Sequence, residues 1–328
     1  MTFFATALLV AGSIVSMVAT LPLTAQAQAT SAFPTKGLKF VVPFPAGSAT
    51  DSVGRILAQA LSQELGQPVA VENRPGANGI LGAEQVKTSP SDGYSLLVTT
   101  STTQAANVSL YKKLSYDPVK DFTPIAKVGT TGFMLMVPPS FPANNIKEFI
   151  AYAKANPGKL AYGQGSSGSL VSGAQFAAMT GINVTQVSYK GIPPALTDLI
   201  GGSIQFVFAD IGNAVTQISG GKLKGLGVTP SVRAGLAPNV PTIAEAGVPG
   251  YDLAAWFGLV APANIPKDVQ QKLTAATLTV LAKQDVKDRL AKAGIDLDPV
   301  DNVGLAKLID SEIKAWSKYV QAAGIIPE

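Results

Sequence analysis

The sequence predicts an α/β protein built as two lobes with two crossing strands between them. Strand-like apolar runs alternate with segments of helical periodicity from residue 37 to residue 229, the order of elements that builds parallel sheets covered on both faces. Two extended stretches, 125–139 and 251–263, are longer than ordinary strands and bracket the second half of that alternation. The first is expected to leave one sheet and enter another, and the second to return.

GLKFVVPF (37–44) is a continuous β-branched and aromatic run, the mark of a buried strand. After the turn PAGSAT, Val53, Ile56, Leu57, Ala60, Leu61 and Leu65 recur near every 3.6 residues and the pattern closes on Gly66, as an amphipathic helix does. PVAVEN (68–73) reads as the next strand, RPGANG as a turn, ILGAEQVKTS (80–89) as a helix and YSLLVTTS (94–101) as a third buried strand. A loop around YDPVKDFTP (116–124) leads into the first crossing stretch. From Ile146 the alternation restarts, with helices at 146–156, 170–181, 194–202 and 213–221 and strands at 160–163, 185–190, 204–210 and 223–229. The second crossing precedes helices at 267–283, 284–294 and 303–324. The expected division is therefore lobe I from 30–137 and 251–328, and lobe II from 138–250.

Composition removes whole classes of function. The 328 residues include no cysteine and no histidine, which excludes a Ser-His-Asp triad, a thiolate nucleophile and a zinc site of the usual ligands. A formal net charge of +4, without a basic block, does not describe a nucleic-acid surface. With 47% hydrophobic residues the chain can bury a large core and needs no disulfides.

The N-terminus differs from the rest. Between Thr2 and Ala29 there is no charged residue, and a long apolar run ends in TAQAQA, which offers A-x-A cleavage sites after Ala27 and Ala29. Residues 1–29 are expected to be a secretory signal peptide, leaving a mature chain that starts at Gln28 or Thr30 outside the cytoplasm; the alternative is an uncleaved anchor, since the apolar run is long enough to span a bilayer and lacks a basic n-region.

Two loops then stand out. Gly163, Gly165 and Gly168 in GQGSSG meet the G-x-G-x-x-G spacing of a dinucleotide fingerprint. A dinucleotide site also wants an acidic residue at the end of the following strand for the ribose, whereas that strand ends Ser188-Tyr189-Lys190. The loop is better read as an anion loop at a helix N-terminus, where unpaired amides and the helix dipole favour negative charge. PFPAGSATD, which also follows a buried strand and opens a helix, is its counterpart on the first lobe. The two should face each other across a hinged cleft, since ligands of open α/β sheets sit at the carboxyl ends of the strands.

VVPFPAGSATDSVGRILAQALSQELGQPVAVENRPGANGILGAEQVKTSPSDGYSLL resembles the tripartite tricarboxylate transporter substrate-binding receptors, the extracytoplasmic Bug family of Gram-negative bacteria. The likeness continues through FTPIAKV, YGQGSSGS, VSYKG, PALTDLIGG, GKLKGLGVT, VPTIAEAG and AAWFGLVAPANIP, and so spans essentially the whole mature chain. It implies a periplasmic-binding-protein fold of the Venus flytrap kind, type II-like, that captures small carboxylates largely through main-chain amides and water. It also implies a periplasmic, monomeric, non-enzymatic protein without a cofactor. The implied partner is the membrane permease of such a transporter, with a sensor kinase as the alternative.

The resemblance places Ala46 and Gly47 in the first gripping loop, with Ser48 where the family commonly has a second glycine. Asp51 carries two readings, as the partner of Ser48 in an S-x-x-D capping box or as a contact for a ligand amino group. Thr100 and Ser101 end the third strand as hydroxyl donors. On the second lobe Gly165, Ser166, Ser167, Gly168 and Ser169 form the glycine-serine loop, Tyr189 lines the cleft and Asp210 ends the next strand at its edge. N-capping accounts for only one of these serines. A serine-dependent hydrolase would need Lys190 held beside Ser166 or Ser167, because the order GSSGS is not that of a nucleophile elbow.

Overall fold

A computed structural model describes residues 1–2 and 33–328. The expected signal peptide and both cleavage sites fall almost entirely within 3–32, outside the described residues. Among the described residues no helix is long and apolar enough to cross a membrane, and no group of three or more acidic residues is placed to hold a metal ion.

The first lobe carries a six-stranded sheet. Its strands are β1 (Leu38–Val42), β2 (Val69–Asn73), β3 (Ser95–Thr100), β4 (Phe122–Thr131), β10 (Ala255–Pro262) and β11 (Asp296–Val300), in the order β11-β4-β10-β3-β1-β2. The second lobe carries a five-stranded sheet of β5 (Phe133–Val137), β6 (Leu160–Gln164), β7 (Val184–Ser188), β8 (Phe206–Asp210) and β9 (Lys224–Val228), in the order β7-β6-β8-β5-β9. Both sheets are mixed. β1 runs parallel to β2 and β3, and β6 to β7 and β8, whereas the crossing strands β10 and β5 pair antiparallel with their neighbours. The fully parallel sheets expected from alternation are thus interrupted where the chain enters each lobe from the other.

The uninterrupted apolar strands follow from burial on both faces. Phe40 and Val42 of β1, Leu96 and Val98 of β3, and Phe257 and Leu259 of β10 pack toward α1 (Ala49–Leu65), α8 (Lys267–Ala282) and α9 (Gln284–Lys292). Val41, Leu97, Trp256 and Val260 point the other way, toward α2 (Ile80–Lys87) and α10 (Asn302–Ala322). In the second lobe Phe133, Leu135, Phe206 and Phe208 meet α4 (Ile146–Ala155) and α5 (Ser167–Thr180). Met134, Met136, Val207 and Ala209 meet α6 (Ile192–Ile200) and α7 (Ile211–Ser219).

The chain changes sheets at Gly132. Residues 133–137, assigned from sequence to the first lobe, already pair with β8 and β9 in the second sheet. The run 125–139 is apolar on both sides of that glycine, so nothing in its pattern marked the break. On the return, Tyr251 donates its hydroxyl to the Ser172 carbonyl, and the Leu253 amide bonds the Thr229 carbonyl, before β10 joins the first sheet. α10 ties the lobes together, because its buried Trp316 and Val320 belong to the core of the second lobe while Leu305 and Ile309 belong to the first.

Three elements were absent from the sequence reading. A π-helical turn, Thr102–Ala106, and a short helix α3 (Asn107–Leu110) follow β3. β11 is a mostly exposed edge strand, DLDPV, whose charges and proline conceal a strand pattern.

Candidate ligand-binding site

The first loop is closed by charge. Ser48 is the N-cap of α1 and its Oγ accepts from the Asp51 amide at 3.2 Å. Asp51 Oδ2 accepts from the Gly47 amide and from Arg55 Nε, both at 3.0 Å, while Oδ1 accepts from Asn73 Nδ2 at 2.9 Å. Asn73 Nδ2 also reaches the Phe44 carbonyl, and Arg55 Nη2 donates to Asn73 Oδ1. Burial of the Asp51 carboxyl opposes ionisation, but the bonds from Arg55, Gly47 and Asn73 outweigh it and hold the group below the ordinary carboxylate range. Asp51 therefore fastens the loop, with Ala46 and Gly47 left exposed at its tip.

The second loop is closed by neutral serines. Ser166 is the N-cap of α5, its Oγ accepting from the Ser169 amide, while Ser169 Oγ accepts from the amides of Gly165 at 2.9 Å and Ser166 at 3.0 Å. The glycines serve packing. A Cβ at Gly165 would overlap the backbone of Gly191, and one at Gly168 the ring of Phe133. Close approach of chain to chain accounts for these two members of the G-x-G-x-x-G spacing without a nucleotide.

Ser167 behaves differently. It is fully buried and bonds the other lobe: Asn78 Nδ2 donates to its Oγ at 2.6 Å, and the Oγ donates to Asn107 Oδ1 at 3.2 Å. Asn78 Nδ2 also donates to Asn107 Oδ1, and Asn107 Nδ2 returns a bond to the Asn78 carbonyl. Asn78 lies in the left-handed region at φ 52°, a conformation asparagine tolerates better than most residues. The turn NRPGANG, read from sequence as backbone turning alone, thus supplies a side chain that joins the lobes. A second contact lies alongside, where Pro45 of the first loop packs so closely on Gly191 that a Cβ there would sit 2.5 Å from its Cδ.

The remaining candidates are dispersed. Thr100 Oγ1 accepts from the Thr102 amide, and Ser101 is fully buried with no partner for its Oγ among the described residues. Tyr189 donates its hydroxyl to Asp198 Oδ2 at 2.8 Å, and burial, with that carboxylate beside it, pushes its pKa up to about 12. It lines a cavity of about 860 Å³ with Asn78, Gln164, Ser188 and Lys190, a wall that includes neither Gly47 nor Ser48. Asp210 pairs with Phe133 at the sheet change, and the ring of Phe133 packs on Gly168 of the second loop. Desolvation lifts its carboxyl to about 6, and its own backbone amide and then Asn213 draw it back only in part. Sequence reasoning missed Asn73, Asn78, Gln104 and Asn107. Only Arg55, four residues after Asp51 on a helix, was open to a spacing argument.

After capping, the first-turn amides of Ala49 and Thr50 on α1 and of Ser167 and Gly168 on α5 have no acceptor among the described residues. Each helix thus presents free N–H groups and the positive end of its dipole beside the junction of the lobes, an arrangement that binds anions.

Two α/β lobes, two crossing strands and a helix N-terminus from each lobe at their junction define a two-lobed solute-binding protein. The chain belongs to the tripartite tricarboxylate transporter family receptors, whose family pattern matches residues 53–325. Among curated relatives, the UPF0065 protein in the tcbD-tcbE intergenic region of Pseudomonas sp. (strain P51) is 34% identical over 90% of this chain and 88% of its own. Protein BugT of Bordetella pertussis is 31% identical over 89% and 90%. Among solved structures, R. palustris Rpa4515 with adipate superposes with a TM-score of 0.88 at 32% identity, covering 90% of this chain and 100% of that one. MatC (Rpa3494) from Rhodopseudomonas palustris with bound malate superposes at 0.81 with 34% identity, covering 88% and 100%.

Proposed function

We propose that this chain is a periplasmic receptor that captures a small carboxylate between its lobes and delivers it to the permease of a tripartite tricarboxylate transporter. The observation that carries the reading is the pair of helix N-termini, α1 from one lobe and α5 from the other, each with two unpaired amides beside the contacts that join the lobes. Ala46, Gly47 and Ser48 on one side, and Gly165 to Ser169 on the other, form the grip, with Thr100 and Ser101 as its floor. Asp51 holds the first loop in shape, while Tyr189 and Asp210 frame the approach and the hinge. Adipate and malate in the similar structures support an acid as the ligand. The lobes divide at Gly132 and near Leu253, export removes residues 1–29, and the receptor acts as a monomer without enzymatic activity.

Thermal shift and calorimetry on the mature chain test the reading with dicarboxylates, tricarboxylates, acidic amino acids, aromatic acids and neutral sugars. At least one acid should bind with a Kd in the micromolar range or below and reduce the radius of gyration in small-angle scattering. Binding of a sugar with no acid bound, or saturation by an acid without compaction, rejects it.

A further inference from the structure

The turn Thr102–Ala106 is π-helical, and π-helical turns recur at functional sites. It lies between the two loops. Thr103 Cγ2, Pro43 Cβ and the Phe44 ring surround the Cβ position of Gly79, which puts the turn beside the first loop. Asn107, the residue after the turn, bonds Ser167 at the start of the second.

Most polar groups here are matched. Thr103 Oγ1 lies 2.7 Å from Thr99 Oγ1 and accepts from the Thr100 amide, and the Thr103 carbonyl accepts from the Tyr116 hydroxyl. Ser101 and Gln104 are not. Both are fully buried, and among the described residues neither Ser101 Oγ nor Gln104 Nε2 or Oε1 has a hydrogen-bond partner. α5 packs against the turn from the other lobe and carries two more buried side chains with unpartnered atoms, Ser172 Oγ and Gln175 Oε1. Buried polar side chains in native interiors are nearly always hydrogen-bonded, so orphans gathered on two elements that meet at a lobe junction call for an explanation.

We infer that Gln104, with Ser101 beside it, is the specificity-determining residue of the receptor, hydrogen-bonding a neutral polar substituent, a hydroxyl or keto oxygen, carried by the ligand between its acid groups. The inference rests on the carboxylate-receptor reading and deepens it. A carboxamide offers both donor and acceptor, which is what a hydroxyl requires, and the four side chains concerned carry no charge. The helix ends recognise the acids, and Gln104 selects among them. A site of this kind rejects an analogue that lacks the oxygen, because the analogue leaves buried polar groups unpaired.

The test uses the mature chain and two matched pairs of acids that differ by one hydroxyl, malate with succinate and citrate with tricarballylate. In calorimetry the unmodified protein should bind the hydroxylated member of at least one pair tenfold or more tighter. Gln104→Leu should reduce that ratio below threefold, leave the affinity for the deoxy acid within threefold, and keep or raise the melting temperature without ligand. Ser101→Ala, a smaller change, should shrink the ratio in the same direction and carries the test if Gln104→Leu fails to fold. Equal affinity within both pairs, or equal losses for both members of a pair, overturns this inference alone. Failure to bind any acid overturns the receptor reading and this inference with it.

Discussion

The loop before α1 is closed by a buried carboxylate tied to an arginine, an asparagine and a backbone amide, whereas the loop before α5 is closed by serines alone. The hydrogen bonds that close the first all come from its own lobe. The second sends Ser167 across to Asn78 and Asn107, so part of its order depends on the lobes being together. A helix end hydrogen-bonded within its own lobe and one hydrogen-bonded across the junction suit the proposed receptor, because the second loses hydrogen bonds when the lobes part. The glycines differ as well. Gly47 has left-handed φ at 80° with only Pro193 Cγ at van der Waals distance from its Cβ position, while Gly165 and Gly168 are required by neighbouring atoms.

The sharpest break in that contrast comes from alanine in the two loops. Gly165→Ala drives a methyl group into the backbone of Gly191, which has no flexible side chain to give way. Overpacking of this kind should cost about 3 kcal/mol. Gly47→Ala meets only Pro193 Cγ at 4.0 Å and bears chiefly the left-handed φ, about 1 kcal/mol. Denaturant unfolding of both variants checks the difference. Equal losses would mean that the second loop is no tighter than the first.

Asp51→Ala should follow at about 2 kcal/mol, since it removes the charged acceptor shared by Gly47, Arg55 and Asn73. The folded state holds this carboxyl below its ordinary value of 3.8, so the stabilisation is present above that pH and disappears as pH falls through the depressed value. Melting curves of wild type and variant should begin to approach each other below about pH 4 and meet only below the depressed value. A gap that stays constant into acid would place the contribution of Asp51 in packing.

Much of this arrangement was legible in the sequence. Both loops announced themselves as glycine and serine between a buried strand and a helical repeat, and Ser48 as the cap of α1 is a matter of spacing, although Asp51 accepts from the Gly47 amide and not from that of Ser48, so the expected capping box forms only by half. What was not legible is which hydroxyls remain free. Ser167 is engaged by residues 89 and 60 positions away, and no local pattern carries that information. Gln104 sits in TTSTTQAAN, a run without helical or strand periodicity, because a π-helical turn departs from the 3.6-residue repeat that such readings rely on. The sheet change at Gly132 was hidden for a related reason: strands buried on both faces look alike in either sheet.

The second lobe also holds a carboxylate, and it behaves oppositely to Asp51. Desolvation raises Asp210 to about 6, so its neutral form is the favoured one. The associated stability is fully present below 3.8, the ordinary value, and is lost as pH rises through about 6. Asp210→Asn should therefore stabilise the protein at pH 8 by roughly 1–2 kcal/mol and make no difference at pH 4. Thermal melts at the two pH values read this directly. A variant less stable than wild type at pH 8 would show that the ionised group is needed where the chain changes sheets.

The smallest expected effect isolates the bridge itself. Asn78→Gly removes the donor to Ser167 while keeping the left-handed backbone, which glycine adopts without strain. Ser167 and Asn107 still bond each other, so no charged group is stranded and the loss should be about 1 kcal/mol. If the bridge stabilises only the joined lobes, that loss acts on the opening equilibrium and lowers affinity about fivefold for every acid alike, whatever its length. The radius of gyration of the unliganded variant should rise, and the value at saturation should match wild type. Fold-losses that differ between a short and a long dicarboxylate would instead put Asn78 in contact with the ligand, and the contrast between a self-contained first loop and a closure-dependent second loop would then fail.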